Sequence, residues 1–299
     1  MTSAIQTDAL FKKFRRVAAV QGLTLNVPQG AVYALLGPNG AGKTTVIKIL
    51  MNIIRSSSGR AEVLGVDSAR IRGRLFESIG YVSENQELPE WMTVSALLNY
   101  LRPFYPTWDA NLEADLVRQF ELLGDRKLRH LSRGMRMKAA LASSLAYHPK
   151  LIVLDEPFTG LDPLVRDELI QGLLDRAEES TIFVSSHDLA EIETFASHVA
   201  YLEDGKLRFA EELSSLANRF REVELTFDST PILPEKKPQT WLQLSASSAV
   251  VRFTDTQFDF ERTASDIRTA FGEPRNVTFS PMSLRSIFLV MAKSGRNSD

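Results

Sequence analysis

Nine consecutive residues, 37–45, have the composition and spacing of a loop that binds phosphate. They read GPNGAGKTT and match the pattern G-x-x-x-x-G-K-[ST]. Glycine has no Cβ atom, so the backbone can wrap closely around an anion and point its N–H groups at phosphate oxygens. Lys43 is predicted to contact the β- and γ-phosphates, and the Thr44 hydroxyl to ligate Mg²⁺. The residues predicted to bind nucleotide here are Gly37, Pro38, Asn39, Gly40, Ala41, Gly42, Lys43, Thr44 and Thr45.

Two adjacent carboxylates follow an apolar run, LIVL, at residues 151–154. Such a run is typical of a buried strand in a parallel sheet, where ligands bind beyond the carboxyl ends of the strands. Asp155 is therefore predicted to hold Mg²⁺, and Glu156 to orient and deprotonate an attacking water. Taken alone, an acidic turn ending a strand would be the better interpretation; the upstream phosphate loop favours the catalytic one.

A histidine, His187, follows another largely apolar run with a polar end, TIFVSS at residues 181–186. In a parallel sheet it would lie on the same edge as Asp155, where an imidazole could contact the γ-phosphate and the attacking water. From these residues alone, a purely structural histidine is an equally good interpretation.

The segments around the loop have the pattern that it requires. Residues 31–36, AVYALL, form an apolar run of strand length, and apolar residues recur at helical spacing over 46–54. Strand, glycine-rich loop and helix is the order in which this motif occurs.

The overall composition argues against several classes of protein. Acidic residues number 37 and basic residues 35, which does not suggest strong nonspecific binding to nucleic acid. The sequence has no cysteine, so disulfides and thiolate metal sites are excluded, and a reducing cytosol fits. We see no secretory signal, and no apolar stretch approaches the roughly 18 residues of a membrane helix. Another chain would have to cross the bilayer in any membrane process.

Further short segments complete an ordered set of motifs. An aromatic residue, Phe14, precedes the first strands, and LSRGM at 131–135 stands about twenty residues before the Asp–Glu pair. Together with GYVSE at 80–84 and GLD at 160–162, they resemble the nucleotide-binding subunit of an ATP-binding cassette (ABC) transporter over residues 5 to about 212. The LSRGM segment resembles a bacterial exporter subgroup whose signature reads LSKGM or LSRGM rather than LSGGQ.

The resemblance implies an ATPase of α/β fold, a P-loop NTPase with a parallel core sheet, an antiparallel β subdomain and a helical subdomain. Its implied cofactors are ATP and Mg²⁺. In such a protein Phe14 stacks on adenine, Glu156 is the general base and His187 is the switch residue.

The resemblance also implies a pair of cassettes, here a homodimer or another paired cassette, that bind head to tail with ATP. Ser132 and Gly134 of one chain then cap the γ-phosphate held by the other, and Asp162 lies at the seam between them.

Three residues depart from the common family pattern. Glu84 stands where most cassettes have glutamine; a carboxylate can still ligate Mg²⁺ but adds a negative charge beside the phosphates. Arg133 and Met135 replace glycine and glutamine of the usual signature, and Arg133 either points away or adds positive charge. We expect subgroup variation with normal hydrolysis.

The sequence predicts an ABC domain over 1–214 and a small C-terminal α+β domain over 219–299. Within the first, residues 85–148 contain helical patterns at 94–100, 112–123 and 135–147, the expected helical subdomain. Its aromatic residues, Trp91, Phe104, Tyr105 and Trp108, either anchor a partner or fill its core. In the second domain, strands are predicted at 222–227, 241–244 and 250–253, and helices at 260–271 and 284–291.

The leading hypothesis is the ATP-hydrolysing subunit of an exporter, peripheral on the cytoplasmic face of the membrane and paired with an integral-membrane permease. The alternative is a soluble ABC-type ATPase or a nucleotide-sensing module not tied to transport. No nucleic-acid partner is expected.

Overall fold

The computed structural model describes residues 2–295. The strands are β1 (Ser3–Phe14), β2 (Val17–Pro28), β3 (Val32–Leu36), β4 (Ser58–Val63), β5 (Val66–Asp67), β6 (Ile79–Val82), β7 (Leu151–Asp155), β8 (Thr181–Ser186), β9 (His198–Glu203), β10 (Lys206–Glu212), β11 (Arg221–Thr226), β12 (Trp241–Ser247), β13 (Val250–Asp255) and β14 (Asn276–Pro281). The helices are α1 (Lys43–Leu50), α2 (Val94–Leu101), α3 (Ala110–Gln119), α4 (Arg133–Leu145), α5 (Pro163–Leu174), α6 (Leu189–Ile192), α7 (Leu213–Arg219), α8 (Phe260–Phe271) and α9 (Leu284–Gly295).

The chain divides into two compact units, one ending at Ala210 and the other beginning at Glu211. The domain limits 1–214 and 219–299 stay predictions. Among the described residues, no helix combines the length and the apolar character needed to cross a bilayer.

The first unit is built on a mixed sheet with strand order β10-β9-β3-β8-β7-β6. Strands β6, β7, β8, β3 and β9 pair in parallel. Every residue of β3, β7 and β8 is buried, which explains why these segments read as continuous apolar runs. Because the strands are parallel, Leu36, Asp155 and Ser186 end at the same edge of the sheet.

A second, antiparallel sheet with order β2-β1-β4-β5 shares an apolar core with the first. Ile5 and Val27 from this sheet pack with Leu35 and Phe183 of the parallel strands and with Ile47 of α1. This core fixes α1, and with it the loop before α1, against both sheets. The predicted α/β fold with antiparallel layer and helical subdomain is confirmed in this unit.

The helical segments lie where the patterns indicate, with shifted ends. The pattern at 112–123 corresponds to α3, which ends at Gln119 because Phe120 turns into the core and Glu121 takes a left-handed conformation (φ 53°). Two of the four aromatic residues, Tyr105 and Trp108, pack around Tyr147, with 3.9 Å between the Tyr105 and Tyr147 ring centroids. The other two, Trp91 and Phe104, are exposed.

The second unit has a four-stranded antiparallel sheet with order β12-β13-β11-β14. Trp241, Val223 and Phe253 from its strands pack with Ile267 of α8 in a separate apolar core. Strand β14 and helix α7 were not anticipated from the sequence.

Candidate active site

Two glycines of the loop at 37–45 fill positions that no other residue could occupy without displacement. A Cβ atom on Gly37 would lie 2.1 Å from the carbonyl oxygen of Leu202, and one on Gly42 would lie 2.3 Å from that of Ala19. Gly42 also has a left-handed backbone (φ 107°). The backbone of the loop therefore lies close to β9 and β2, as the pattern requires.

The first turn of α1 presents backbone N–H groups that find no acceptor within residues 2–295. Gly42 is the N-cap and supplies no side-chain cap, and Val46 is the first residue whose N–H bonds back to the loop, to the Gly42 carbonyl. Among the described residues, the N–H groups of Lys43, Thr44 and Thr45 have no hydrogen-bond acceptor. Together with the positive end of the helix dipole, these donors suit a phosphate group.

The Asp155 carboxylate lies beside the Thr44 hydroxyl. Thr44 Oγ1 donates to Asp155 Oδ1 at 3.1 Å, and Ser185 Oγ donates to the same oxygen at 2.7 Å. Asp155 is buried, so these bonds fix its orientation. Hydroxyl and carboxylate oxygens are hard ligands of the kind that Mg²⁺ prefers, so the donor set fits this ion.

The Glu156 carboxylate is held through both of its oxygens. Lys43 Nζ lies 2.9 Å from Oε1, while His187 Nδ1, at 2.8 Å, and Thr159 Oγ1, at 3.0 Å, both contact Oε2. Burial alone would raise the pKa of Glu156, but the hydrogen bonds from His187, Lys43 and Thr159 and the charge of Lys43 outweigh it, so this pKa lies below its ordinary value. The side chain is thus a carboxylate at neutral pH.

The backbone at Glu156 is strained. Its φ is 50°, a left-handed value that is rare for a side chain of this size, and Pro157 follows it. Its N–H donates to Ser185 Oγ at 3.0 Å. Strain of this kind is retained where surrounding contacts impose it, and it is typical of active sites.

The predicted signature residues lie at the start of α4, where Ser132 contacts its own helix and Gly134 contacts the neighbouring helix α5. Ser132 caps α4 by accepting a hydrogen bond from the Met135 N–H at 3.2 Å. A Cβ atom on Gly134 would lie 2.9 Å from Val165 Cγ1, so this glycine lets α4 approach α5 closely. Asp162 caps α5 through the Val165 N–H at 3.1 Å. None of these contacts joins the signature to the phosphate loop of the same chain.

An ion pair between a buried lysine and a partly exposed glutamate adds to the contact between α4 and α5. Lys138 Nζ lies 2.5 Å from Glu168 Oε2, and Lys138 is almost fully buried. The relative position of Ser132 and Asp162 is therefore fixed by packing and charge.

Two of the three unusual residues contact each other. Arg133 Nη2 lies 3.8 Å from Glu84 Oε1. The Arg133 guanidinium also lies against Gly160, because a Cβ atom on this glycine would be 3.0 Å from Arg133 Nη1. In this structure the Glu84 carboxylate faces a cation of the signature. Its assignment as a Mg²⁺ ligand stays a prediction.

We predict that Glu84→Gln keeps or raises the rate of ATP hydrolysis. An amide oxygen can still ligate Mg²⁺, and the lost ion pair with Arg133 is half-exposed, worth under about 1 kcal/mol. Phosphate release by wild type, Glu84→Gln, Arg133→Gln and the double variant would be compared as a cycle. A collapse of the rate in both Glu84 variants would mean that the carboxylate itself is required.

Of the other residues predicted to contact nucleotide, Phe14 and the tip of the loop lie at the surface, Thr45 is half-buried and Ala41 is buried. Phe14, at the end of β1, is 45% exposed, with Lys12 Nζ 4.8 Å from its ring centroid. Pro38, Asn39 and Gly40 are exposed at the tip of the loop, while Ala41 is buried. Phe14 is accessible to a planar ligand, and its stacking on adenine stays a prediction.

Two site residues were missed in the sequence. Ser185 joins Asp155 to the Glu156 backbone, and Thr159 holds Glu156 Oε2. A signal for Ser185 was present, because a hydroxyl at the carboxyl end of an otherwise apolar buried strand needs a partner. Thr159 carries no comparable signal.

Comparison with known proteins agrees with this geometry. The sequence profile of the ABC transporter family matches residues 20–159. ABC transporter ATP-binding protein YtrB of Bacillus subtilis is 30% identical over 75% of this chain and 77% of its own length. Lantibiotic transport ATP-binding protein SrtF of Streptococcus pyogenes is 33% identical over 72% of this chain and 93% of its own length.

In another relative the similarity covers nearly the whole chain. Daunorubicin/doxorubicin resistance ATP-binding protein DrrA of Streptomyces peucetius is 29% identical over 97% of this chain and 92% of its own length. Among solved structures, an ATP-binding subunit of an ABC transporter superposes with a TM-score of 0.65 at 26% identity, covering 73% of this chain and 92% of that one. A bacterial ABC transporter cassette has the same fold, with a TM-score of 0.63 at 22% identity; the match covers 70% of this chain and 98% of that one.

The resemblance found in the motifs is therefore confirmed by sequence and fold. This chain belongs to the ABC transporter family, as an ATP-binding cassette of the kind that hydrolyses ATP to power transport.

Proposed function

We propose that this chain is the magnesium-dependent ATPase subunit of an exporter and drives a separate membrane-spanning permease. The observation that carries the proposal is the meeting of Lys43, Asp155 and Glu156 at one sheet edge, beside the unsatisfied N–H groups of α1. ATP phosphates suit those donors, and Thr44 Oγ1 and Asp155 Oδ1 are the oxygens that would hold Mg²⁺. When bound, that ion would neutralise negative charge on the phosphates.

The contacts of Glu156 support separate roles for its two oxygens in this proposal. Oε2 is held by His187 and Thr159, whereas Oε1 contacts Lys43. When ATP binds, a phosphate oxygen replaces Glu156 Oε1 as the partner of the Lys43 ammonium. Oε1 is then free to accept a proton from the attacking water. His187 and Thr159 then act by keeping the carboxylate in place.

A complete site requires a second cassette in this proposal. Ser132 and Gly134 contact α4 and α5 of their own chain, which leaves the N-terminus of α4 to approach the γ-phosphate held by the partner. Asp162, at the start of α5, would lie at the seam. Dimerisation would therefore depend on ATP.

The permease would dock at the groove beside Glu84. A cavity of about 410 Å³ is lined there by Glu84, Asn85, Gln86, Leu131, Arg133, Arg136 and Met137. The groove combines apolar side chains with charges of both signs, which suits a short polar helix of a membrane partner on the cytoplasmic face. Export is favoured by the relatives named for daunorubicin/doxorubicin resistance and lantibiotic transport.

The test is to purify the tagged chain from its own host and identify the integral-membrane protein that accompanies it. Phosphate release would then be measured for the chain alone and with that partner, with Mg²⁺ and with a chelator. We expect Mg²⁺-dependent release that the partner alters. ATP binding without release in either setting would instead favour a nucleotide-sensing module.

A further inference from the structure

The two side chains that contact Glu156 Oε2 come from different segments of the chain. Thr159 belongs to the loop that leads into α5, whereas His187 belongs to the loop between β8 and α6. They contact the same oxygen, at 3.0 Å and 2.8 Å. Their hold on the carboxylate therefore depends on how the start of α5 is fixed relative to the start of α6.

An ion pair joins these two helices. Arg166 lies near the start of α5, and its Nη1 is 3.3 Å from Oε1 of Glu191 in α6. The Glu191 side chain is only 10% exposed. A carboxylate with so little access to water needs a counter-charge, which Arg166 supplies. Arg166 Nε also lies 3.8 Å from Asp167, but Asp167 is exposed and its charge is screened by water.

The other oxygen of Glu191 contacts the loop that carries His187. Ser186 Oγ lies 3.3 Å from Glu191 Oε2 and accepts a hydrogen bond from the Asp188 N–H at 3.0 Å. Ser186 is buried, and Asp188 caps α6 through the Ala190 N–H at 2.9 Å. Because Ser186 and Asp188 flank His187, these bonds fix the backbone that carries the imidazole.

Side-chain contacts of 3.3 Å or less and short stretches of backbone thus close a ring at the proposed general base. In order around the ring, its members are Glu156, Thr159, Arg166, Glu191, Ser186 and His187. In a closed ring each contact limits the movement of the others, so opening it at one position loosens the rest.

We propose that the Arg166–Glu191 ion pair positions the general base, by keeping both partners of Glu156 Oε2 in place. Arg166 and Glu191 do not touch the nucleotide; they are positioning residues that act through the loop of His187. Without Arg166, the Glu191 carboxylate turns to water and releases Ser186, which frees this loop. The inference rests on the proposed role of Glu156 in ATP hydrolysis.

The first test is the kinetics of Arg166→Met, which keeps an apolar stem but removes the charge. Its kcat should fall by about tenfold with little change in KM for ATP, because the base is misplaced while the phosphate loop is intact. Arg166→Lys keeps a cation and should recover most of the rate. Arg102→Met is the matched control, since Arg102 pairs at 2.8 Å with Glu113, whose side chain is 16% exposed. It should hydrolyse ATP like wild type.

Apolar packing should keep Arg166→Met folded. The rings of Phe158 and Phe195 join the same two segments edge to face, with 5.8 Å between their centroids, and both are buried. Denaturant unfolding of Arg166→Met and Arg102→Met compares their stability, so that a general loss of stability is not mistaken for misplacement of the base. Glu191→Gln, which removes the charge but keeps the shape, is a second variant with the same expected loss of kcat.

A double variant tests whether the ion pair acts through His187. Residues that act as a unit have effects that do not add. Adding Arg166→Met to His187→Gln should therefore lower kcat by less than about threefold, against about tenfold in the wild-type background. A full tenfold loss in the His187→Gln background would mean that Arg166 acts elsewhere, which overturns the proposal.

A third measurement does not depend on hydrolysis. The chain has four histidines, so their ring signals can be resolved by NMR, and the signal missing in His187→Gln identifies His187. In Arg166→Met the His187 signals should shift by more than those of the other three histidines. Arg102→Met should leave them in place.

The outcomes separate this proposal from the proposed function. If the His187 signals are unchanged in Arg166→Met, or if they shift while kcat stays at the wild-type value, the positioning role is wrong and the proposed function stands. A wild-type chain that does not hydrolyse ATP overturns the proposed function. The histidine signals then decide by themselves whether the ion pair holds the loop.

Discussion

Replacing Glu156 with glutamine should stop ATP turnover and at the same time make ATP bind more tightly. Loss of the general base is expected to lower the rate by about 10²–10⁴-fold. The tighter binding follows from the Lys43–Glu156 contact of 2.9 Å, because phosphate must replace the carboxylate at Lys43. A neutral amide competes less for the ammonium, so ATP affinity should rise by about tenfold.

Calorimetric titration with ATP and an assay of phosphate release would measure the two effects separately. The matched control is His187→Gln, which should lower turnover but leave the Lys43–Glu156 ion pair, and hence ATP affinity, nearly unchanged. Size-exclusion chromatography should show Glu156→Gln as a trapped dimer when ATP is added and as a monomer without it. If added ATP leaves the elution of this variant unchanged, the head-to-tail arrangement is wrong.

Replacing Lys43 with alanine should weaken ATP binding by about 100-fold, because the cation that faces the β- and γ-phosphates is removed. The same change removes a counter-charge from the buried Glu156 carboxylate, so its pKa should rise. Lys48→Ala is the control, since Lys48 lies in the same helix but is exposed. Unchanged ATP affinity in Lys43→Ala would contradict the assignment of the site.

The lost ion pair also predicts how stability depends on pH. The folded pKa of Glu156 is lowered, so its ionised form stabilises the native protein above the ordinary carboxylate range, and this contribution disappears as pH falls through the folded value. Lys43→Ala should therefore be less stable than wild type at neutral pH, with a smaller difference in acid. Denaturant unfolding at both pH values measures this. The double variant Lys43→Ala/Glu156→Gln should recover stability but not ATP binding.

The sequence by itself determined the elements that carry the chemistry. The apolar runs of β3, β7 and β8 identify buried strands because every residue in them is covered on both faces. The loop at 37–45 and the acids Asp155 and Glu156 are recognisable because each motif consists of particular residue types at fixed spacing within a few consecutive positions. The same holds for β11 and α8, whose periods of 2 and 3.6 residues appear within a short window.

Only the tertiary structure decided which of these residues meet. The order β3-β8-β7 brings Lys43 to Glu156, 113 positions away in the chain. It also places Ser185 Oγ where it accepts from the Glu156 N–H and donates to the Asp155 carboxylate. The contact of Glu84 with Arg133 likewise depends on how α4 lies beside the end of β6. Such pairs leave no local period in the sequence, because strand order and helix packing are properties of the whole core.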